Sequence, residues 1–416
     1  MACERVPVVV YDQEPSSIIA YALSSGDYQV KLREVQTFLW GTPKDGAFGS
    51  STSSKGGKQT DMNISMESMR ETDEPDGVSM LAGTAAVPEG GEKSKTGKQL
   101  SNIHIELQFS DANAKFYCRV YFAEQFRKLR KLIFPDGEEM FIRSLGRCKP
   151  WEARGGKSGS AFCKTDDDRF IMKQMSSMEA DSFEKFGPQY FGYMTKASTE
   201  KNPTALAKIL GVFRIGFRNT QTNSTLKQDL LVMENLFYNR KIVQKFDLKG
   251  SMRNRLVNTA GKQAEEELVL LDENLLKSSV DSPLYLRPHS KSVLKTAITN
   301  DSMFLSTNLV MDYSLLVGLD EVTKELVVGI IDYIRTFTWD KKLEMVIKGS
   351  GILGGQGKMP TVVSPQLYRN RFLEAMERYF LHVADQWNGL GRDFPVAKDQ
   401  MSEDQDMDVT QPASKR

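Results

Sequence analysis

Residue types that build metal clusters and disulfide frameworks are scarce in this sequence. Its 416 residues include four cysteines and three histidines. The cysteines (Cys3, Cys118, Cys148 and Cys163) stand far apart, without a Cys-x-x-Cys pair. This spacing argues against a zinc cluster or a disulfide framework. Since proteins of reducing compartments keep their thiols free, the sequence predicts a cytoplasmic protein.

Long apolar runs and an excess of one charge are also missing. No run approaches the ~18 apolar residues that a membrane span requires. Residues 1–10 lack the basic start and apolar centre of a signal peptide. The 55 basic and 54 acidic side chains leave a net charge of +1. Such a balance predicts no nucleic-acid partner, although local basic patches remain compatible with it.

Glycine, serine, threonine and proline make up 27 of the 60 residues at 41–100. Such a stretch cannot bury enough apolar surface to offset the entropy lost on ordering, so we predict a disordered linker there. The polar, Asp-rich residues 396–416 are predicted to form a disordered tail. Folded sequence is expected at 1–40 and at 101–395, with a boundary between two lobes after residue 233.

Hydrophobic spacing changes along the chain from the period of strands to the period of helices. Residues 103–109 alternate apolar and polar side chains, and further strand-like runs lie around 160–162, 170–175, 209–217 and 229–233. Helical spacing marks residues 16–23, 121–134, 302–309 and 364–383, whereas 28–40 fits a strand or a helix. Strands first and helices later favour an α+β fold, with a small sheet-rich lobe followed by a larger mixed lobe.

A glycine-rich stretch at residues 155–162 is the sharpest local signal. Its small residues (Gly156, Ser158, Gly159 and Ser160) would let backbone N–H groups approach phosphate oxygens. The spacing does not match the P-loop pattern G-x-x-x-x-G-K-[ST], and a plain surface hairpin explains the glycines about as well. Thirteen residues after Ser160, Lys173 stands inside the apolar run 170–175. A lysine buried in a strand needs a partner, and we expect Glu179, or alternatively Asp181, to pair with it.

Two polar segments follow the predicted strands. Residues 230–236 read as a strand that runs into a hinge, where Glu234 and Leu236 could place backbone groups against an adenine. An ordinary buried strand is the alternative. The stretch Asp247-Leu248-Lys249-Gly250-Ser251 offers an acid, a base and a flexible turn. It fits either a phosphate contact or a solvated turn.

Two aspartates lie in apolar surroundings, where an isolated charge is costly. Asp312 stands within residues 309–317 and Asp332 within 327–334, with a predicted hairpin at 320–325 between them. They can therefore converge at one end of a paired sheet. Metal-assisted phosphoryl transfer uses such a pair, one carboxylate to orient the attacking hydroxyl and one to hold Mg²⁺. Two capped structural aspartates are the alternative.

Basic residues dominate the stretch from Arg335 to Arg371. The seven basic side chains against two acidic ones favour an anionic substrate, and Trp339, Ile347 and Leu353 could dip into a membrane surface. Charge runs are also common on solvated helix faces.

Together these motifs resemble the phosphatidylinositol phosphate kinase family. The resemblance covers roughly residues 101–392 and rests on the glycine-rich loop, 171–173, 247–251, 311–316 and 330–332. Within the family, residues 14–20 and 351–363 are similar to the FYVE-finger-containing phosphatidylinositol 3-phosphate 5-kinases. The large members of that branch carry a cysteine-rich finger and a chaperonin-like domain. Neither is in this sequence, so we expect a catalytic part alone, as a fragment, a short isoform or a short paralogue.

The resemblance implies a two-lobed fold with an antiparallel sheet in the N-lobe and a mixed α/β C-lobe. It implies a lipid kinase that uses ATP and Mg²⁺ to phosphorylate the 5-hydroxyl of phosphatidylinositol 3-phosphate. Lys173 would contact ATP phosphates, Asp312 would be the catalytic aspartate, Asp332 the Mg²⁺ ligand and Lys249 a phosphate or substrate contact. Residues 335–360 would form the activation loop, and lysines there would recognise the headgroup (Lys341, Lys342 and Lys358).

By the same resemblance, the protein would bind peripherally to endosomal membranes, with regulatory or scaffold proteins as further partners. Val317 stands where protein kinases carry the asparagine of H-R-D-x-x-x-x-N, so a second metal would be held differently or not at all. A kinase for phosphatidylinositol 4-phosphate is one alternative. A catalytically silent phosphoinositide-binding scaffold is another, although the intact Lys173, Asp312 and Asp332 argue against it.

Overall fold

The computed structural model of the chain describes residues 8–11, 14–40, 103–134, 137–151, 161–258, 268–335 and 364–383. We number the elements in chain order. The helices are α1 (Pro15–Ser24), α2 (Gly26–Trp40), α3 (Ala123–Ile133), α4 (Gly137–Leu145), α5 (Ser177–Thr199), α6 (Asp272–Ser278), α7 (Pro288–Thr307) and α8 (Pro365–Tyr379). The strands are β1 (Ile105–Ser110), β2 (Ala114–Val120), β3 (Cys148–Trp151), β4 (Phe162–Thr165), β5 (Phe170–Met175), β6 (Ile209–Asn219), β7 (Thr225–Glu234), β8 (Ile242–Leu248), β9 (Val269–Leu270), β10 (Leu284–Leu286), β11 (Ser314–Asp320), β12 (Leu326–Ile331) and β13 (Phe380–His382).

The first seven strands form one antiparallel sheet in the order β1-β2-β6-β7-β5-β4-β3. β6 and β7 lie near its centre, with apolar residues facing both ways, because both faces of the sheet are covered by other elements. β5, which carries Lys173, lies beside β7 and pairs Lys173 with Leu231. This arrangement confirms the α+β fold and the antiparallel N-terminal sheet.

A second, four-stranded sheet has the order β12-β11-β8-β9. β11 is central and pairs antiparallel with both β12 and β8, while β9 joins β8 in parallel. The two sheets are connected at residues 205–207, where Leu206 forms a parallel bridge to Ile330 of β12. The Ala207 N–H donates to the Ile330 carbonyl at 2.9 Å. β12 is therefore held directly against the segment that leads into the large sheet.

Two apolar clusters fill the two faces of the large sheet. One face packs against α1, α2 and α4, and the other is continuous with α5, α7, α8 and the second sheet. α1 is almost wholly buried: Ile18, Ile19 and Leu23 are each 0% exposed. The N-terminal segment thus completes the core of the large sheet, although linear sequence separates it from β1 by more than 60 residues.

Several predicted elements are confirmed and some boundaries are wrong. α1, α3, β1 and the hairpin between β11 and β12 lie where the pattern predicts them. Residues 28–40 are helical. The helix predicted over 364–383 ends at Tyr379, because residues 380–382 pair in parallel with β10. Likewise the helix predicted over 302–309 ends at Thr307. Among the described helices, none is both long enough and apolar enough to cross a bilayer.

Because α1 is buried, a substitution in this helix should strongly lower the stability of the protein, although α1 carries none of the predicted site residues. We expect Ile19→Ala to lower the free energy of unfolding by about 2–5 kcal/mol, because it removes apolar contacts and leaves a cavity in the core. The matched control is Val30→Ala on α2, since Val30 is 51% exposed. Chemical denaturation measures both. Equal, small effects in the two variants would show that α1 does not belong to this core.

Candidate active site

The register of the β11–β12 hairpin brings Asp312 and Asp332 to the same end of the small sheet. Ser314 pairs with Ile331, so Asp312 precedes and Asp332 follows that pair by one or two residues. The Met311 N–H donates to the Arg335 carbonyl at 3.3 Å, which ties the two flanking segments together. The convergence predicted from the hairpin spacing is confirmed.

Both aspartates have a left-handed backbone. The φ angle is +66° at Asp312 and +60° at Asp332. Side chains with a Cβ adopt this conformation at a cost, which aspartate tolerates better than most residues. Such conformations cluster at functional sites, where the surrounding structure enforces them.

Lys173 reaches from the large sheet to this hairpin end. Its Nζ lies 2.7 Å from Oδ1 of Asp332 and 3.8 Å from Oε1 of Glu179. Lys173 is only 4% exposed, so its charge requires compensation by these carboxylates. The prediction that Glu179 pairs with Lys173 is confirmed, but Asp332 is the nearer partner. Asp181, the alternative, is exposed on α5.

Glu179 is held in place by the start of α5. Its carboxylate accepts from the Ser176 backbone N–H at 2.9 Å, while the Ser176 hydroxyl accepts from the Glu179 N–H, forming a capping box. Arg335 approaches the same carboxylate at 3.3 Å. Burial raises the pKa of Glu179, but the Ser176 hydrogen bond, Lys173 and Arg335 outweigh it, so the pKa lies below the ordinary value. Glu179 is therefore an anion shared by two cations.

Lys249 approaches the site from the end of β8. That strand pairs with β11, with Leu248 opposite Leu315, so Lys249 lies at the same end of the sheet as both aspartates. The Lys249 ammonium donates to the backbone carbonyl of Asp312 at 2.6 Å. Residues 247–251 are therefore a structured turn rather than a solvated one.

A buried carboxylate, Asp272, shapes this turn. Asp272 is 0% exposed. It accepts hydrogen bonds from the backbone N–H groups of Lys249 and Gly250, from the Arg255 side chain and from the Tyr379 hydroxyl. Asp272 is not predictable from the sequence, since an aspartate at the start of a short helix carries no signal that distinguishes it from a common helix cap.

Several hydrogen-bonding groups of the predicted hinge after β7 are paired with other residues of the protein. The Glu234 carboxylate accepts from the Lys208 backbone N–H at 2.8 Å and from its ammonium at 2.9 Å. The backbone N–H groups of Glu234 and Asn235 donate to Lys208 and Arg169. Leu236 packs so closely on Gly329 of β12 that a Cβ there would lie 2.4 Å from its side chain. A nucleotide-binding role for Glu234 and Leu236 stays a prediction.

Two groups of predicted residues lie outside the described part of the chain. One group is the glycine-rich loop residues (Gly156, Ser158, Gly159 and Ser160). The other is the predicted headgroup lysines (Lys341, Lys342 and Lys358). Described strands flank the first group, since β3 and β4 pair antiparallel with Trp151 opposite Phe162, and Phe162 pairs in turn with Lys173. The described residues Trp151 and Phe162, which flank this segment in the sequence, therefore lie on the two strands next to Lys173 in the sheet.

Comparison with known proteins shows the family of the chain. A family model described as phosphatidylinositol-4-phosphate 5-kinase matches residues 149–326 and 320–379, more than half of the chain. The chain belongs to this kinase family. The matched region contains every element that carries Lys173, Lys249, Asp312 and Asp332.

Individual relatives extend the match to the N-terminal helices. The chain is 52% identical to a human 1-phosphatidylinositol 3-phosphate 5-kinase over 93% of its length. It is 42% identical to a putative enzyme of the same name from Drosophila melanogaster and 40% identical to one from Saccharomyces cerevisiae. These relatives are much longer, and the chain spans 18–24% of their lengths.

The donor set fits a magnesium–nucleotide complex. The side chain of Asp332 is 40% exposed and lies 2.7 Å from the ammonium of Lys173, so it is accessible to a metal ion and its phosphate ligands. Mg²⁺ is usually bound through one or two carboxylates together with substrate phosphates. In the described ranges no cluster of three or more histidine, cysteine or acidic side chains could hold a metal by itself. Asp332, with Asp312 nearby, would therefore share the ion with ATP.

The turn around Lys249 predicts a sensitive glycine. Gly250 has φ +68°, and a Cβ would lie 2.8 Å from Cβ of Ala375 and 3.0 Å from the Arg371 carbonyl oxygen. We expect Gly250→Ala to destabilise the protein by about 2–4 kcal/mol, because left-handed strain adds to the overlap with α8.

Gly192→Ala on α5 is the matched control, since nothing lies within 4 Å of its added Cβ. Its effect should be neutral or stabilising by up to about 1 kcal/mol, from higher helix propensity. Thermal and denaturant unfolding measure both variants. A Gly250→Ala variant as stable as Gly192→Ala would contradict the packing of this turn against α8.

Proposed function

We propose that the chain is a lipid kinase that transfers the γ-phosphate of ATP to the 5-hydroxyl of phosphatidylinositol 3-phosphate. The product would be phosphatidylinositol 3,5-bisphosphate. The observation that carries this proposal is the contact of Lys173 with Asp332 beside Asp312, at the end of one hairpin. A phosphate-binding cation, a metal-binding carboxylate and a second carboxylate in one place match the requirements of phosphoryl transfer.

Asp312 would act on the acceptor hydroxyl. Its carboxylate would accept the hydroxyl proton as the oxygen attacks the γ-phosphorus, and the fixed hairpin end would orient that oxygen in line with the leaving group. Lys249 donates to the Asp312 carbonyl at 2.6 Å, which fixes the backbone that carries the base. Its ammonium also brings positive charge to the place where the phosphoryl group passes.

Lys173 would hold the ATP phosphates from the other side. Its ion pairs with Asp332 and Glu179 keep the ammonium at the junction of the two sheets, within reach of both the nucleotide and the metal ligand. Mg²⁺, when bound, would neutralise the charge that develops on the β- and γ-phosphates. Glu179 would preserve the position of Lys173 when Asp332 turns towards the ion.

The identity of the lipid rests on the relatives. Human and yeast proteins that carry the name 1-phosphatidylinositol 3-phosphate 5-kinase match more than nine-tenths of this chain. The description of the family model instead names phosphatidylinositol 4-phosphate, so that lipid is the alternative substrate. Since either substrate lies in a membrane, the protein would act as a peripheral enzyme in the cytoplasm. The 3-phosphate would direct it to endosomal membranes, where regulatory or scaffold proteins would assist it.

Product analysis tests the proposed reaction directly. Purified protein is incubated with Mg-ATP and vesicles that carry phosphatidylinositol or its 3-, 4- or 5-monophosphate, and the deacylated products are separated by headgroup chromatography. We expect a 3,5-bisphosphate from the 3-phosphate as the main product. A 4,5-bisphosphate as the main product would assign the alternative substrate. Vesicle binding without any product would favour a silent scaffold.

The role of Asp312 predicts a selective loss of turnover. We expect Asp312→Asn to lower kcat by about 10²–10⁴-fold, because the amide cannot accept the hydroxyl proton. The KM for ATP should change little, since Lys173 and Asp332 remain. Asp181→Asn, an exposed position on α5, is the matched control and should keep wild-type turnover. An Asp312→Asn variant with more than half of the wild-type kcat would overturn the assignment.

A further inference from the structure

Two arginines of α8, Arg369 and Arg371, are partly buried and meet no acidic partner within the described ranges. The Nε atom of each is inaccessible to solvent and has no hydrogen-bond acceptor. Across the described residues, no carboxylate lies within 4.0 Å of either guanidinium, whereas several other wholly or partly buried arginines in these ranges are paired with carboxylates (Arg119, Arg127, Arg130, Arg214 and Arg255). An unpaired guanidinium in a desolvated position is costly unless an anion compensates it.

Packing places α8 beside the segment that carries Asp312. The Arg371 guanidinium carbon lies 5.0 Å from the centre of the Tyr368 ring. The Tyr368 hydroxyl donates to the backbone carbonyl of Tyr313, the residue after Asp312. The Arg371 backbone in turn lies against Gly250, next to Lys249. α8 therefore packs onto both the Asp312 and the Lys249 segments.

The charges of both arginines act on the same buried hydroxyl. Burial raises the pKa of Tyr313, while the positive charges of Arg369 and Arg371 lower it in part. The Tyr313 hydroxyl itself is buried without a hydrogen-bond partner. The acids near this region are Asp312, Asp247 and Asp272. The Asp247 carboxylate accepts from Arg255 at 2.7 Å, and Asp272 accepts from Arg255 and from Tyr379 of α8. Arg369 and Arg371 thus add two positive charges on the α8 side of the Asp312 segment.

The position of Arg369 and Arg371 suits the phosphate of the lipid headgroup rather than the phosphates of the nucleotide. Lys173, which suits the nucleotide phosphates, approaches from β5 of the large sheet and meets Asp332 at the end of β12. Arg369 and Arg371 lie on α8, whose backbone at Arg371 contacts Gly250 in the Lys249 turn. An acceptor hydroxyl at Asp312 would therefore place the rest of its inositol ring towards α8. Guanidinium groups match a phosphate monoester well, because their planar forks bind its oxygens in pairs.

We propose that Arg369 and Arg371 bind the phosphate already present on the inositol headgroup and thereby select a phosphorylated lipid over phosphatidylinositol. This inference rests on the proposed lipid kinase activity and assigns its headgroup-phosphate contacts to α8. Each arginine is a substrate-binding residue in this proposal. Neither takes part in the transfer of the γ-phosphate.

Kinetics of Arg369→Gln and Arg371→Gln test the proposal. With vesicles carrying phosphatidylinositol 3-phosphate, we expect each change to lower kcat/KM about tenfold or more, through a higher KM, because a charge-assisted hydrogen bond is lost. Towards phosphatidylinositol, which lacks the phosphate, the change should stay below about threefold, and the KM for ATP should not move. Arg371→Lys, which keeps the charge but not the fork, should recover part of the loss.

Arg378→Gln is the matched control, since it removes the same charge from an exposed position of α8. Thermal unfolding of all variants establishes that they fold. Equal losses towards both lipids, or a higher KM for ATP alone, would overturn the proposal. The second result would assign the arginines to the nucleotide instead.

The phosphate-binding role of the two arginines can also be tested if the protein has no lipid kinase activity. If the wild-type protein phosphorylates no lipid, co-sedimentation with vesicles that contain phosphatidylinositol 3-phosphate replaces the kinetic measurement. Binding that is retained by wild type and Arg378→Gln but lost in Arg369→Gln and Arg371→Gln supports the subsite without the reaction. Equal binding by all four proteins, or none by the wild type, rejects it.

Discussion

The ion pair between Lys173 and Asp332 is the contact on which the arrangement of the site depends. It joins a strand of the seven-stranded sheet to the hairpin of the four-stranded sheet, across 2.7 Å. A lysine that is 4% exposed cannot remain charged without such a partner, so the pair constrains how the two sheets lie against each other. Glu179 and Arg335 extend the pair into a network of two cations and two anions. Any ligand that binds Asp332 must enter this network.

Backbone pairing does the rest of the positioning. The β11–β12 register sets the separation of Asp312 from Asp332, and the β8–β11 register brings Lys249 to the same end. A shift of one residue in either register would turn these side chains to the opposite face. The buried carboxylate of Asp272 secures the Lys249 turn by accepting two of its backbone N–H groups. Site geometry in this protein is therefore set by β-pairing and one buried anion, with α8 covering the turn.

Sequence reasoning succeeded where a local pattern has one physical solution. An apolar alternation predicted β1, helical spacing predicted α1 and α3, and two aspartates flanking a turn predicted a hairpin that brings them together. It failed where the partner lies far along the chain. Residues 380–382 continue a helical pattern, but β10 offers them a strand partner. The sequence predicts the nearby Glu179 as the partner of Lys173, whereas the closer partner in space, Asp332, stands 159 residues away along the chain.

By itself the sequence determined the fold class, the identity of the charged residues and the family resemblance, because these follow from residue type, period and motif order. Only the tertiary structure decided which charges meet. The burial of α1 beneath the large sheet, the hydrogen bonds from four groups to Asp272 and the α8 arginines that meet no described carboxylate all depend on contacts between distant segments. Whether a charged residue is paired or available for a ligand depends on burial and on neighbours in space, neither of which a linear pattern encodes.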